Sequence, residues 1–186
     1  INLLGNHGLM NMLEDTSAPK YISPQEEQEA KSYINQLPVG KQPAVAAGEL
    51  ARLKLFSQPE FKKELMTQFK VLAQVGEWVF THGGIGNDIM PILQQFKSID
   101  ELNQFASEYL VEGHTTIERL QGKSTDIAAL LLADSEKSLL KYRKDGEVLR
   151  FNREAYAKEA CDAWAKRAET LTDHWQTPIK RIAFAH

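Results

Sequence analysis

The sequence predicts a mixed α/β domain in which helices outnumber strands and a mostly helical insertion spans residues 24–70. Three observations carry that prediction. Short β-branched and aromatic runs over 71–75 and 77–81 flank Gly76 in the manner of a hairpin. Longer segments repeat apolar residues at helical spacing behind proline or hydroxyl starts. Finally, three apolar runs end in histidine-bearing segments: Leu4-Gly5-Asn6-His7, Val79-Phe80-Thr81-His82-Gly83-Gly84 and Ile182-Ala183-Phe184-Ala185-His186. Each reads as a strand delivering polar side chains to a strand-to-loop edge.

Taken in order, residues 1–4 suit the end of a buried strand, which Gly5-Asn6-His7-Gly8 breaks before a helical turn over 9–13. Ser23-Pro24 followed by Glu26 and Glu27 combines a hydroxyl cap, proline at the first helical position and acids in the first turn, predicting a helix to about Leu37. Further helices fit 44–57 and 59–69, the latter with Phe61, Leu65, Met66 and Phe69 at helical spacing. Beyond the hairpin, Asp88 is placed to cap a short helix that tolerates Pro91, and Ser98-Ile99-Asp100-Glu101 has capping-box spacing for a helix to about Val111. Helices are also expected over 115–121, 124–133 and 152–172, with a turn at Asp145-Gly146 and a last strand over 179–185. The row Tyr156, Ala160, Ala163 and Trp164 reads as core packing, the run 26–29 as a solvated helix start, and His114 and His174 as surface or loop histidines.

Composition narrows the function classes. At 186 residues and 42% hydrophobic, the chain can bury one core. A formal net charge of −3 and a pI near 6.0 exert no long-range pull on nucleic acid or an anionic membrane. The longest apolar stretch, 127–133, is far too short to span a bilayer. Cys161, the single cysteine, excludes an internal disulfide. That fits a reducing, cytoplasmic setting, although many exported bacterial proteins also lack disulfides. The first histidine segment opens close to Ile1 and the last ends on His186, so the chain reads as the middle of a catalytic domain.

Asparagine and neutral imidazole suit borderline divalent metals such as Mn, Fe and Zn. In two-metal hydrolysis the ions bind phosphoryl oxygens and generate the attacking hydroxide, while a neighbouring acid protonates the leaving oxygen. Asn6, His82 and His186 are candidate ligands and His7 the candidate acid. The glycines after His82 would let the backbone approach a metal or phosphate closely.

The segment Leu3-Leu4-Gly5-Asn6-His7-Gly8-Leu9-Met10-Asn11-Met12-Leu13, with Tyr21-Ile22-Ser23-Pro24-Gln25-Glu26-Glu27 after it, resembles the Gly-Asn-His-Glu segment of calcineurin-like metallophosphoesterases, the phosphoprotein phosphatases. The likeness is to their bacterial Shewanella-like branch, which continues into Met-Asn-Leu and a Tyr-Val-Ser-Pro-Glu-Glu-like stretch. Phe80-Thr81-His82-Gly83-Gly84-Ile85 resembles the family's Phe-Val-His-Gly-Gly-Leu, and Ala183-Phe184-Ala185-His186 its last metal-histidine strand. The resemblance implies a β-sandwich flanked by helices, with Asn6 as a metal ligand, His7 as general acid, and His82 and His186 as ligands of the second of two divalent ions, Mn foremost. Leu139-Leu140-Lys141-Tyr142-Arg143 is similar to the branch's Pro-Leu-Trp-Tyr-Arg-like stretch, which makes Arg143 a clamp for substrate phosphate. The implied substrate is a phosphoprotein or phosphopeptide, phosphotyrosine before phosphoserine or phosphothreonine.

Two departures stand out. Gly8 replaces the family's glutamate. The Gly-Asp-x-His-Gly and Gly-Asp-x-x-Asp-Arg-Gly motifs, which precede Gly-Asn-His in the family, are not in 1–186, so the chain holds half a dinuclear site. The alternatives are a small-molecule phosphoesterase acting on nucleotides or diadenosine polyphosphates, a non-catalytic binding module on the same scaffold, and a bacterial effector acting on host phosphoproteins.

Overall fold

The computed structural model describes residues 2–5, 8, 9, 12, 24–36, 38–41, 56, 58–112, 127, 138–140 and 155–184. The helices expected over 115–121, most of those over 44–57 and 124–133, and the Asp145-Gly146 turn lie outside these residues. What is described is a mixed α/β arrangement with two small sheets.

β1 (Asn2–Leu3) runs parallel to β2 (Phe69–Lys70), pairing Asn2 with Phe69 and Leu3 with Lys70. A bond from the Leu4 N–H to the Lys70 carbonyl, 2.8 Å, adds one more rung. Through Val71 the chain enters β3 (Leu72–Val75), antiparallel to β4 (Trp78–Thr81), and β5 (Arg181–Phe184) joins β4 in parallel, giving the order β3-β4-β5. The hairpin turns at Gly76, whose φ of 56° is left-handed and carries no Cβ penalty in glycine. Gln74 Nε2 donates to the Gly76 carbonyl at 2.8 Å and to the Pro178 carbonyl at 2.9 Å, tying the turn to the approach of β5. Side chains alternate along β4, where Val79 and Thr81 are buried and Trp78 is exposed, whereas β3 buries both Leu72 and Ala73 and opens to solvent only at Val75 beside the turn.

Proline starts two of the described helices, as its fixed φ and missing N–H favour. α1 (Pro24–Asn35) is largely exposed, laced by a Lys31–Glu27 ion pair at 2.6 Å, which agrees with a solvated start. α2 (Pro59–Gln68) buries Met66 and stops one residue short of the predicted end, because Phe69 turns extended to pair with β1. A 3-10 turn (Asn87–Ile89) leads into α3 (Met90–Leu93). Here the expected cap is corrected: Gly86 holds the cap position without a side-chain bond, and Asp88 lies inside the first turn.

In α4 (Ile99–Glu112) the capping spacing is realised with a shift. The Glu101 N–H donates to Ser98 Oγ at 3.1 Å, while the Glu101 carboxylate accepts from the Lys97 N–H, one residue ahead of the expected reciprocal donor. Ser98→Ala should therefore lower stability by about 1 kcal/mol, read as a lower melting temperature.

α5 (Ala155–Trp175) continues three residues beyond the predicted end at 172. Ala168, Leu171 and Trp175 are buried along one face, and Trp175 Nε1 donates to the Phe96 carbonyl at 2.9 Å. The helix ends where Gln176 takes a φ of 54°, two residues before Pro178. His174 is thus exposed as expected, but on a helix and not in a loop, with Nε2 2.8 Å from the same Phe96 carbonyl.

The core gathers Leu4, Leu9 and Met12 from the N-terminal segment, Val71, Leu72 and Val79 from the sheet, and Phe96, Leu102 and Phe105 around α4. Phe96 and Phe105 meet edge to face at 5.2 Å. Among the described residues no helix is long and apolar enough to cross a membrane.

Candidate functional site

The sheet register brings three strand ends to one place. β1 ends against Lys70, and Leu4 reaches the Lys70 carbonyl. β3 begins two residues later at Leu72, which pairs with Thr81, the last residue of β4. Thr81 in turn pairs with Phe184, the last residue of β5. The carboxyl ends of β1, β4 and β5 therefore converge around Val71 and Leu72. These are the described strands of the three histidine segments.

His82 follows Thr81 directly and is half-buried. Its ring lies against the backbone of Gly5: a Cβ built on Gly5 would stand 3.3 Å from His82 Cε1 and 3.5 Å from both ring nitrogens. Glycine is what allows this approach, since any side chain at position 5 competes with the imidazole for space. The Gly5 carbonyl accepts the Leu9 N–H at 2.9 Å, opening the helical turn whose buried residues, Leu9 and Met12, anchor the segment. Asn6 and His7 come next in sequence after Gly5, and His186 two residues after Phe184; these three residues lie outside the described residues. So does Arg143, but the stretch leading to it is anchored here. The Leu139 carbonyl accepts the Thr81 hydroxyl at 2.8 Å and the Gly83 N–H at 2.8 Å, and Ser138, Leu139 and Leu140 are fully buried.

Gly8 has a local explanation. A Cβ there would approach Leu4 Cδ1 to 3.0 Å, so the core-buried Leu4 fills the space that a larger residue would enter. A larger residue at this position requires Leu4 Cδ1 to give by a few tenths of an ångström.

Two residues that motif reading passes over shape this edge. Asn103 of α4, 7% exposed, accepts the N–H groups of Val71 (2.9 Å) and Leu72 (3.3 Å) through Oδ1. Its Nδ2 donates to the carbonyls of Leu72 (2.7 Å) and Ile99 (3.0 Å). One side chain thus stands in for a missing strand where β2 passes into β3. The second is Arg167 of α5, buried, whose guanidinium donates to the Ile85 carbonyl in the loop after His82. The only legible signal for either was a polar residue on an otherwise apolar helical stripe.

Among the described residues, no three His, Cys, Asp or Glu side chains cluster in the manner of a metal site. His114 lies outside them, and His174 sits far along α5 against Phe96. Two grooves lie away from this edge, one beside the hairpin turn lined by Gln74, Gly76 and Thr177, the other between α5 and the approach to β5, lined by Ala168, Thr172, Pro178 and Lys180. No family model, curated protein or solved structure matches the chain.

Proposed function

We propose that this chain carries part of a metal-dependent phosphoester-hydrolase site, and that the parent activity is hydrolysis of phosphomonoesters on proteins, phosphotyrosine foremost. The observation that supports this reading best is the packing of His82 on Gly5 at the edge where β1, β4 and β5 end together. Asn6, His82 and His186 would supply an amide oxygen and imidazole nitrogens, a donor set suited to Mn, Fe or Zn. When bound, such a pair of ions would neutralise phosphoryl oxygens and provide hydroxide near neutral pH. His7 would protonate the leaving phenolic or alcoholic oxygen. Arg143 would hold a non-bridging phosphate oxygen with its guanidinium fork. The calcineurin-like resemblance of the three segments supplies these roles, and a sandwich fold with helical flanks belongs to the same proposal.

One observation favours a second reading. Gly8 stands where the resembling family has glutamate, and a Cβ there would meet Leu4 Cδ1 at 3.0 Å, as suits a binding module that keeps the scaffold without its chemistry.

The test loads the purified full-length parent protein, which carries the other half of the proposed site, with Mn, Fe or Zn and measures metal per chain alongside turnover. The substrates are phosphotyrosine, phosphoserine and phosphothreonine peptides, nucleotides and diadenosine polyphosphate, with His7→Asn as background. The expected result is stoichiometric metal and preferred hydrolysis of the phosphotyrosine peptide. Preference for nucleotides would replace the protein substrate with a small molecule, and absence of both metal and turnover would leave the binding module.

A further inference from the structure

The glycine loop after His82 is gripped by a buried charge. Arg167 is 6% exposed, and desolvating a guanidinium is costly unless it is well bonded. Its Nε donates to the Ala163 carbonyl one helical turn back, at 3.2 Å, and its NH1 donates to the Ile85 carbonyl. The guanidinium carbon lies 5.9 Å from the Trp164 ring centroid. An aliphatic side chain could fill this space without the desolvation cost but could not donate to two main-chain carbonyls at once, as the guanidinium fork does.

That carbonyl is well chosen. Between His82 and Ile85 lie only Gly83 and Gly84, which have no side chains with which to pack. Gly83 is fixed on one side by the Leu139 carbonyl, and Ile85, fully buried, is fixed on the other by Arg167. The planar guanidinium spans two carbonyls, one on its own helix and one on the loop, so the loop inherits the position of α5.

We infer that Arg167 is a positioning residue that sets the aim of the His82 imidazole by fixing the Gly83–Ile85 backbone to α5. The role rests on the reading of His82 as a site residue. Its structural half can be tested without any turnover.

The experiment records the histidine ring nitrogens of the whole chain by NMR in wild type, Arg167→Met and Arg167→Lys, with His82→Gln to assign the His82 signals. His174, seated on the Phe96 carbonyl by the last turn of the same helix, reports whether α5 remains docked. The expected result is that Arg167→Met displaces or doubles the His82 signals and leaves those of His174 in place, with Arg167→Lys intermediate. Unmoved His82 signals would overturn the inference, and so would joint movement of His82 and His174, which would make Arg167 a general support of the helix. Should Arg167→Met fail to fold, Arg167→Lys is read by the same criteria, since it keeps the charge and stem but lacks the fork. If phosphatase activity is established, kcat of the Arg167→Met protein should fall about 10- to 100-fold with KM little changed. Absence of hydrolysis in wild type would remove the phosphatase reading and leave the ring-nitrogen result to stand by itself.

Discussion

Gly5→Val is expected to disable His82 while leaving most of the fold in place. A Cβ at position 5 already comes within 3.3 Å of His82 Cε1, tighter than ordinary carbon contacts, and valine adds two γ-methyls to that Cβ. The close contact between the Gly5 backbone and the imidazole is lost either way, by the ring turning aside or by the lightly paired β1 segment lifting off it. A displacement near 1 Å at a reacting group costs about 100-fold in rate, so His82-dependent turnover should fall by roughly that factor. The overpacking itself should cost about 1–3 kcal/mol. Gly5→Ala needs the ring to give by only a few tenths of an ångström and should fall between wild type and Gly5→Val. Metal affinity, turnover and melting temperature measured on the three proteins check this order. Unchanged metal binding and turnover in Gly5→Val would mean that the His82–Gly5 contact has no part in the site.

Asn103→Leu should produce the largest loss of stability among these substitutions. The side chain is buried and makes four bonds, three of them to the backbone of Val71 and Leu72. Leucine preserves the volume but leaves two N–H groups and one carbonyl of the sheet without a partner in a region that excludes water. Each orphaned group costs about 1–3 kcal/mol, and the sum falls short of simple addition because the strand can relax. A net loss of about 3–5 kcal/mol is expected, equivalent to a melting temperature lower by about 10 °C. Because Val71 and Leu72 separate the end of β1 from the start of the hairpin, the variant should also lose metal affinity at temperatures where it remains folded. A melting temperature within about 2 °C of wild type would show that β3 does not depend on this brace.

The local grammar of the chain was legible where a single residue decides the backbone. Gly76 marks its hairpin, Pro24 and Pro59 open helices, and Ser98 caps α4. The end of α5 was misplaced because Asp173-His174 looks polar enough to be a loop. Trp175, four residues beyond Leu171 on the buried face, was the signal that the helix continues. The residues of the edge divide in the same way. His82 was legible as the polar end of an apolar run, and Gly5 as the break before Asn6, but their contact depends on pairings between distant segments. Asn103 and Arg167 act on backbone groups far away in the chain, and neither partner's sequence announces them. A helix stripe records that a position faces inward, not which carbonyl it will meet.

The short ladder of β1 has a kinetic consequence. Two paired residues and one further rung hold it to β2, whereas the hairpin is held along its length and flanked by β5 and α4. Amide protons of Leu4 and Leu9 should therefore exchange with solvent through small local openings long before those of Val79 or Leu72. Each such opening lifts Gly5 from the face of the imidazole and then returns it. The edge is thus a joint that breathes on one side only, with His82 on the stationary half and Gly5 on the half that swings.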